Sequence, residues 1–310
     1  MKTVRIHEYG NADVLRLEEI PVPQIASDEL LIKIHAASIN PLDWKVREGL
    51  MKDMHVHTLP LTLGQDFSGT VEKVGSSVTG FKVGEDVFGR SSFERDGTYA
   101  EFIEVKANEV ALMPKTITYD EAATIPLAGT AAWETLVNKA KIRKGQRVLI
   151  LGSSGGVGSL AIQIAKSKEC YVVGTTSQGN LDFVKKLGAD EVIDYTNQDF
   201  SERLTDIDVV FDTIGGETQE RAFKVMRRGG ILVSIASKPN QELADRYGVR
   251  GEYASSGPNA HILNELTSLI ENGQIRPVVD KVFRLEDVKQ AQIYSQSGKA
   301  RGKIVLEIAS

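Results

Sequence analysis

The residues of this 310-residue chain with the clearest chemistry lie between Arg147 and Ala165. An apolar run, Val148-Leu-Ile-Leu151, enters Gly152-Ser-Ser-Gly155-Gly156-Val-Gly158, and a segment of small and aliphatic residues leaves it. Glycines at 152, 155 and 158 let a backbone turn tightly, approach a pyrophosphate and pack a helix against a strand, with the helix's positive end toward the anion. A P-loop is excluded, because no Lys-Ser/Thr pair follows the last glycine. Gly152-Ser-Ser154-Gly-Gly156 also fits G-x-S-x-G, the nucleophile elbow of α/β-hydrolases. That reading needs an acid and then a histidine downstream. His261 is the only histidine after the loop, Asp208 and Asp212 are the candidate acids, and no His-Gly-Gly segment precedes it. The dinucleotide reading is the stronger one, with a serine hydrolase using Ser154 as a minor alternative.

The next strand bears on which dinucleotide. An NAD site usually places an acidic residue about twenty residues on, to hold the ribose hydroxyls. Cys170-Tyr-Val-Val-Gly-Thr175-Thr176-Ser177-Gln178 offers hydroxyls and no carboxylate, so nothing there repels a 2′-phosphate and NADP(H) is favoured. No Arg or Lys stands immediately beside it.

The elements around this loop divide the chain. Up to about residue 110, short runs such as Lys2–Ile6, Glu29–Ile34, Gly69–Val74 and Ala100–Val105 are rich in β-branched residues, with glycines scattered between them. That pattern predicts an antiparallel, barrel-like domain. From Tyr119 helices and apolar strands alternate. Helices are expected over Tyr119–Lys139, Ser159–Lys168, Leu181–Leu187 and Thr218–Met226. Strands are expected over Gln146–Leu151, Tyr171–Thr175, Glu191–Asp194, Val209–Asp212 and Ile231–Ala236. Alternation of this kind implies βαβ units and a parallel sheet. The tail adds helices over Asn259–Glu271 and Leu285–Ser297 and strands over Val278–Arg284 and Lys303–Ile308.

Composition narrows the function. Hydrophobic residues are 41% and charged residues 25%, which excludes a disordered or fibrous chain. A net charge of −5 lacks the footprint of a nucleic-acid or anionic-membrane binder. The single cysteine, Cys170, excludes an intramolecular disulfide and any multi-cysteine metal cluster, and its strand context suggests a core residue. The first residues carry charges and no apolar core of a signal peptide, and the uncharged run from Val148 to Ala165 holds four glycines. A cytoplasmic protein is expected. His55 and His57 lack a third ligand and read as loop residues.

With segments upstream, these residues resemble the zinc-independent quinone oxidoreductase and 2-alkenal reductase branch of the medium-chain dehydrogenase/reductase superfamily, over nearly the whole chain. The similar segments are Asn40-Pro-Leu-Asp43-Trp-Lys-Val-Arg47-Glu-Gly49, Leu63-Gly-Gln-Asp66-Phe-Ser-Gly69, Val83-Gly84-Glu-Asp-Val87, Pro126-Leu-Ala-Gly-Thr130-Ala-Ala-Trp133, Gly188-Ala-Asp190-Glu-Val-Ile-Asp-Tyr195 and Gly302-Lys-Ile-Val.

The resemblance implies an α/β architecture. A GroES-like β-barrel catalytic domain would span 1–122 with 262–310, and a Rossmann doubly wound parallel-sheet domain binding NADP(H) would span 123–261. It implies NADPH as cofactor, a homodimer and a small electrophilic substrate, a quinone or an α,β-unsaturated carbonyl. Cofactor contacts would come from Thr130, Gly152, Ser153, Gly155, Gly156, Val157, Gly158, Thr176, Ser177, Tyr195 and Ile214. Asn40 would hold the substrate oxygen or a water beside it, and Asp43 would orient substrate or serve as a turn residue, with Arg47 available to pair with it. Where zinc-dependent relatives carry cysteine and histidine ligands this chain has Asn40, Gln65 and Asp66, so no zinc is expected. It departs from many relatives in having Gly179 and Asn180 where they carry a lysine, and in having Lys52 where some quinone reductases carry a tyrosine. A non-catalytic NADPH-binding sensor or structural protein is the alternative, since binding and turnover share the loop.

Overall fold

The computed structural model describes residues 1–308, so the boundary expected at 310 lies outside the described residues. The chain opens with strands β1 (Lys2–Ile6), β2 (Arg16–Glu19) and β3 (Glu29–Ile39), then helix α1 (Pro41–Arg47). Strands β4 (Leu61–Thr62), β5 (Asp66–Val74), β6 (Asp86–Arg90), β7 (Phe102–Lys106) and β8 (Val110–Leu112) follow, with helices α2 (Tyr119–Ala123) and α3 (Pro126–Trp133). Alternation begins with β9 (Arg147–Leu151), α4 (Gly156–Ser167), β10 (Tyr171–Thr176), α5 (Leu181–Lys186), β11 (Glu191–Asp194) and α6 (Phe200–Arg203). It continues with β12 (Ile207–Asp212), α7 (Gly216–Ala222), β13 (Met226–Ser234), α8 (Gln241–Tyr247) and β14 (Arg250–Tyr253). Helix α9 (Ala260–Glu271), β15 (Val279–Arg284), α10 (Val288–Gln296) and β16 (Lys303–Glu307) complete the chain.

Two compact units result. One comprises Met1–Leu127, Gly257–Glu271 and the chain from Pro277 onward; the other comprises Ala128–Ser256 and Asn272–Arg276. In the first, β3 is the hub, pairing antiparallel with β5, β7 and β16. Leu30, Ile32 and Ile34 pack with Phe67, Val71, Val87 and Ile103. A register irregularity between Ile34 and Ala36 then shifts the alternation, and Ala37 and Ile39 face a second core with Val4, Ile6, Tyr99 and Ile304. An extra residue in one strand flips which parity points to which side, so one strand serves two cores. Strands β15 and β16 pair in parallel, which needs a crossover, and α10 supplies it.

The second unit is a six-stranded, fully parallel sheet in the order β11-β10-β9-β12-β13-β14. That order is the doubly wound one, with its switch point between β9 and β12. Val148, Leu149, Ile150 and Leu151 are fully buried, as expected of a strand covered on both faces.

Several elements differ from expectation. The helix expected over Tyr119–Lys139 breaks between α2 and α3, because Pro126 offers no N–H and keeps Ile125 from continuing the helix; its last stretch, Glu134–Lys139, is a π-helix. The expected helix Thr218–Met226 starts two residues earlier and gives way to β13 at Met226. Helices α1 and α8 and strand β14 were not anticipated.

Candidate active and cofactor sites

In the parallel sheet the carboxyl ends of four neighbouring strands lie level. Thr176 of β10 stands opposite Asp194 of β11, and Leu151 of β9 opposite Asp212 of β12. The glycine loop after β9, Thr176 and Ser177 at the end of β10, Tyr195 after β11 and Ile214 after β12 therefore share one edge, the edge where such sheets bind ligands. Tyr195 and Ile214 are 59% and 55% exposed there, large hydrophobic surfaces that the fold itself does not cover.

The loop's glycines have separate reasons. Gly152 has φ of +77°, and a Cβ on it would lie 2.5 Å from the Thr213 hydroxyl. A Cβ on Gly158 would lie 2.3 Å from the Gly152 carbonyl, so this glycine lets α4 close onto the turn. Gly155 is different: a Cβ there would meet only the Gly152 carbonyl, at 3.6 Å, so the fold leaves that space open. Gly155 caps α4, and Ser159 makes the first bond back to it, which leaves the N–H groups of Gly156, Val157 and Gly158 turned out of the helix end. Thr176 contributes a buried hydroxyl with no partner. An open cradle, outward N–H groups and an orphaned hydroxyl along one edge fit a dinucleotide phosphate.

The remaining expected contacts differ in their surroundings. Ser153 is fully buried, and both its N–H (3.0 Å) and its hydroxyl (2.8 Å) donate to the Thr175 carbonyl, so it fastens the turn to β10 and offers a ligand neither group. Thr130 is buried in α3. Ser177 and Ser154 both accept from the Asn180 amide, at 3.3 and 3.4 Å. Asp212 is buried and accepts from the N–H groups of Ile214 and Gly215 and from Gln219 and Ser234, shaping the turn that carries Ile214. Asp208 is likewise bonded, to the Arg147 N–H and the Arg227 side chain. His261 stands exposed on the first turn of α9. With both acids committed elsewhere, the hydrolase reading loses the carboxylate that would orient its histidine.

The first unit holds a second polar cluster, built where β16, β3 and β5 run side by side. Ser38 lies opposite Asp66, and Ile39 opposite Ile304, next to Lys303. Asp66 is fully buried; its Oδ2 accepts from Ser38 Oγ (2.8 Å), Asn40 Nδ2 (2.8 Å) and Lys303 Nζ (3.2 Å), and its Oδ1 accepts from the Leu127 N–H (2.7 Å). Lys303 Nζ also donates to Asn40 Oδ1 at 2.5 Å and to the Ile39 carbonyl at 3.1 Å. Asn40 itself is 2% exposed.

Asn40 precedes α1, and Asp43 at the third helical position accepts its backbone N–H at 2.7 Å, half of a capping box. The Tyr99 hydroxyl donates to the same oxygen, Oδ2, at 2.7 Å. Burial pushes the Asp43 carboxyl up to about 7, against the pull of these two bonds and of Lys303. Tyr99, fully buried beside it, is pushed well above the usual phenol range by burial first and the Asp43 charge second. Asp43 thus holds the start of α1 and, through it, the Asn40 backbone. Arg47 does not pair with Asp43. It reaches Gln292 (2.5 Å), Glu48 (2.6 Å), Gln296 (3.2 Å) and the Gly10 carbonyl (3.1 Å), fastening α1 to α10.

The donor set does not fit zinc. Among the described residues no three His, Cys, Asp or Glu side chains converge to hold a metal. Gln65 accepts from Arg90 at 3.1 Å, and the Asp66 carboxylate already faces the Lys303 ammonium. His55 and His57 meet edge to face at 4.6 Å, and burial lowers the His57 pKa. Cys170 is buried, its thiol pushed up to about 11 by burial. Lys52 lies over the Tyr9 ring, 4.1 Å from its centre. Lys303, Asp66 and Tyr99 were not anticipated as site residues; a lysine opening an otherwise apolar strand was the available signal.

A doubly wound sheet with a phosphate-ready edge, joined in one chain to an antiparallel unit with a buried polar cluster, defines a dinucleotide-dependent oxidoreductase class. Comparison with known proteins agrees. Residues 26–115 match the alcohol dehydrogenase GroES-like domain, and residues 187–306 match the zinc-binding dehydrogenase family. The 2-methylene-furan-3-one reductase of Solanum lycopersicum is 39% identical over 99% of this chain and 79% of its own. The quinone oxidoreductase from Coxiella burnetii superposes with a TM-score of 0.93 at 32% identity, over 100% of this chain and 99% of that one. The Escherichia coli quinone oxidoreductase complexed with NADPH superposes with a TM-score of 0.88 at 28% identity, over 99% and 100%. The chain belongs to the medium-chain dehydrogenase/reductase superfamily and is an oxidoreductase with quinone oxidoreductases and enone reductases among its relatives. Among the described residues no helix is long and apolar enough to cross a membrane.

Proposed function

We propose that the protein reduces a quinone, or a C=C bond conjugated to a carbonyl, with NADPH and without zinc, as a cytoplasmic homodimer. The observation that carries this reading is the Asn40 amide, held in a buried network where a metal-dependent relative would need metal ligands. The sheet edge would hold NADPH, which would supply the hydride when bound. Gly155, Gly156, Val157 and Gly158 hold its pyrophosphate, Thr176 and Ser177 take its ribose phosphate, and Tyr195 and Ile214 cover its apolar faces. Asn40 donates a hydrogen bond to the substrate oxygen, where negative charge develops as the conjugated system accepts the hydride. The protein's part is orientation and one fixed dipole. Solvent supplies the proton. The relatives support the choice of acceptor, since a 2-methylene-furan-3-one is itself an alkene conjugated to a ketone.

The test is NADPH oxidation followed by absorbance with one quinone and one 2-alkenal, repeated with NADH and with a chelator. Chelator-resistant turnover, faster with NADPH, is the expected result. Binding of NADPH without turnover of either acceptor would overturn the reading in favour of a sensor.

A further inference from the structure

We propose that Lys303 is a positioning residue for this reduction: its ammonium fixes the Asn40 amide oxygen inward, so that the group Asn40 presents to substrate is an N–H donor. The inference rests on the reading above, in which Asn40 meets the substrate oxygen. Its basis is a count of protons. Lys303 has three, and all are engaged, by the Ile39 carbonyl, Asn40 Oδ1 and Asp66 Oδ2. The Ser38 proton goes to Asp66. One N–H of Asn40 also goes to Asp66. The second N–H of Asn40 is the donor this network leaves over.

The charges on either side force that orientation. Turning the amide by half a turn would set its NH2 against an ammonium, which can only donate, and its oxygen against a carboxylate, which can only accept. Both contacts would change from bond to repulsion in a buried place, where neither water nor salt relieves them. The direction of the amide therefore follows from Lys303 and Asp66. Lys303 also acts on the donor's strength. A cation bonded to the amide oxygen draws electrons from the nitrogen and polarises the remaining N–H. A neutral, directed and polarised N–H suits an oxygen that gains charge only during reaction.

The test compares Asn40→Ala, Lys303→Met, Lys303→Arg and the double variant Asn40→Ala/Lys303→Met. The readouts are kcat and KM with a 2-alkenal, the NADPH dissociation constant by fluorescence, and thermal melting. Asn40→Ala is expected to lower kcat by about 100-fold. Lys303→Met should lower kcat comparably with NADPH affinity within about twofold, and the double variant should be no worse than Asn40→Ala alone within about threefold. Lys303→Arg should recover about tenfold of the loss, since it restores a cation against the amide oxygen. Normal turnover in Lys303→Met, or losses that multiply in the double variant, would overturn the inference. Normal turnover in Asn40→Ala would instead remove the reading beneath it. Should Lys303→Met not fold, Asp66→Asn carries the same test, because it keeps the shape and removes the negative charge that, with the Lys303 ammonium, fixes the direction of the Asn40 amide. Its kcat loss should likewise fail to multiply with that of Asn40→Ala; an independent loss would overturn the inference.

Discussion

The Tyr99 hydroxyl donates to Asp43 Oδ2 at 2.7 Å, in a place where neither side chain meets solvent. A carboxyl in such a setting resists ionisation, because the charge has lost its water and two hydrogen bonds replace only part of it. Asp43, near 7 in the fold, therefore differs from an unfolded aspartate, which ionises near 4.

The pH dependence of stability follows. Between about pH 4 and 7 the folded chain holds a proton on Asp43 that the unfolded chain has released, so stability falls as pH rises through that window. Below it both states are protonated, and above it both are ionised, so the contribution is flat at either end. Asp43→Asn keeps an acceptor for Tyr99 and for the Asn40 N–H while removing the charge. Urea unfolding across pH 4 to 8 should show the native protein losing a few kcal/mol relative to Asp43→Asn. Parallel stability curves would show that the carboxyl ionises in the fold as it does outside.

Two glycines of one loop should differ in what the same substitution does to stability. Gly158→Ala drives a methyl into the Gly152 carbonyl, a backbone atom that cannot swing aside, so it should lower the urea midpoint and NADPH affinity together. Gly155→Ala makes only an ordinary van der Waals contact, 3.6 Å from the Gly152 carbonyl, and removes a flexible backbone position, so the apo protein should be as stable or slightly more so. Its NADPH dissociation constant should nevertheless rise about tenfold or more, because on the proposed reading the methyl would stand where the pyrophosphate approaches. If NADPH binds Gly155→Ala normally, the phosphate does not sit on this loop face.

What the sequence revealed and what it hid divide along physical lines. The glycine loop was legible because strand, turn and helix are contiguous and each has a local signature. Asn40-Pro41-Leu42-Asp43 carried an equally local signal for α1, an N-cap, a proline at the first helical position and an acid at the third. The same residues also carry part of the family resemblance. Helix α8 is short, and β14, Arg250-Gly-Glu-Tyr253, is a polar edge strand with no apolar run to betray it. The network around Asn40 had no local trace, since Lys303 is 263 residues from Asn40 and 237 from Asp66. Sheet pairing brings them together, and pairing partners are not written in neighbouring residues. The raised carboxyl of Asp43 and the redirection of Arg47 to α10 arise the same way, from burial and packing that only the fold creates.

Thr176 offers a prediction whose sign depends on the state of the protein. Its hydroxyl is buried at the end of β10 with no hydrogen-bond partner. An unpaired buried hydroxyl destabilises a fold by about 1–3 kcal/mol relative to a paired one. Thr176→Val replaces the hydroxyl with a methyl of similar size and keeps the β-branched shape the strand favours. The apo protein should therefore gain stability, by about 1 kcal/mol in urea unfolding, against the general rule that core substitutions cost. With NADPH the sign should reverse. If the hydroxyl's partner is the ribose phosphate, the variant should bind NADPH several-fold more weakly, and saturating cofactor should stabilise it less than the native protein, by the ratio of affinities. A smaller loss with NADH than with NADPH would place the contact on the 2′-phosphate. A variant that is both less stable without cofactor and unchanged in NADPH affinity would mean that the hydroxyl serves the strand rather than the ligand.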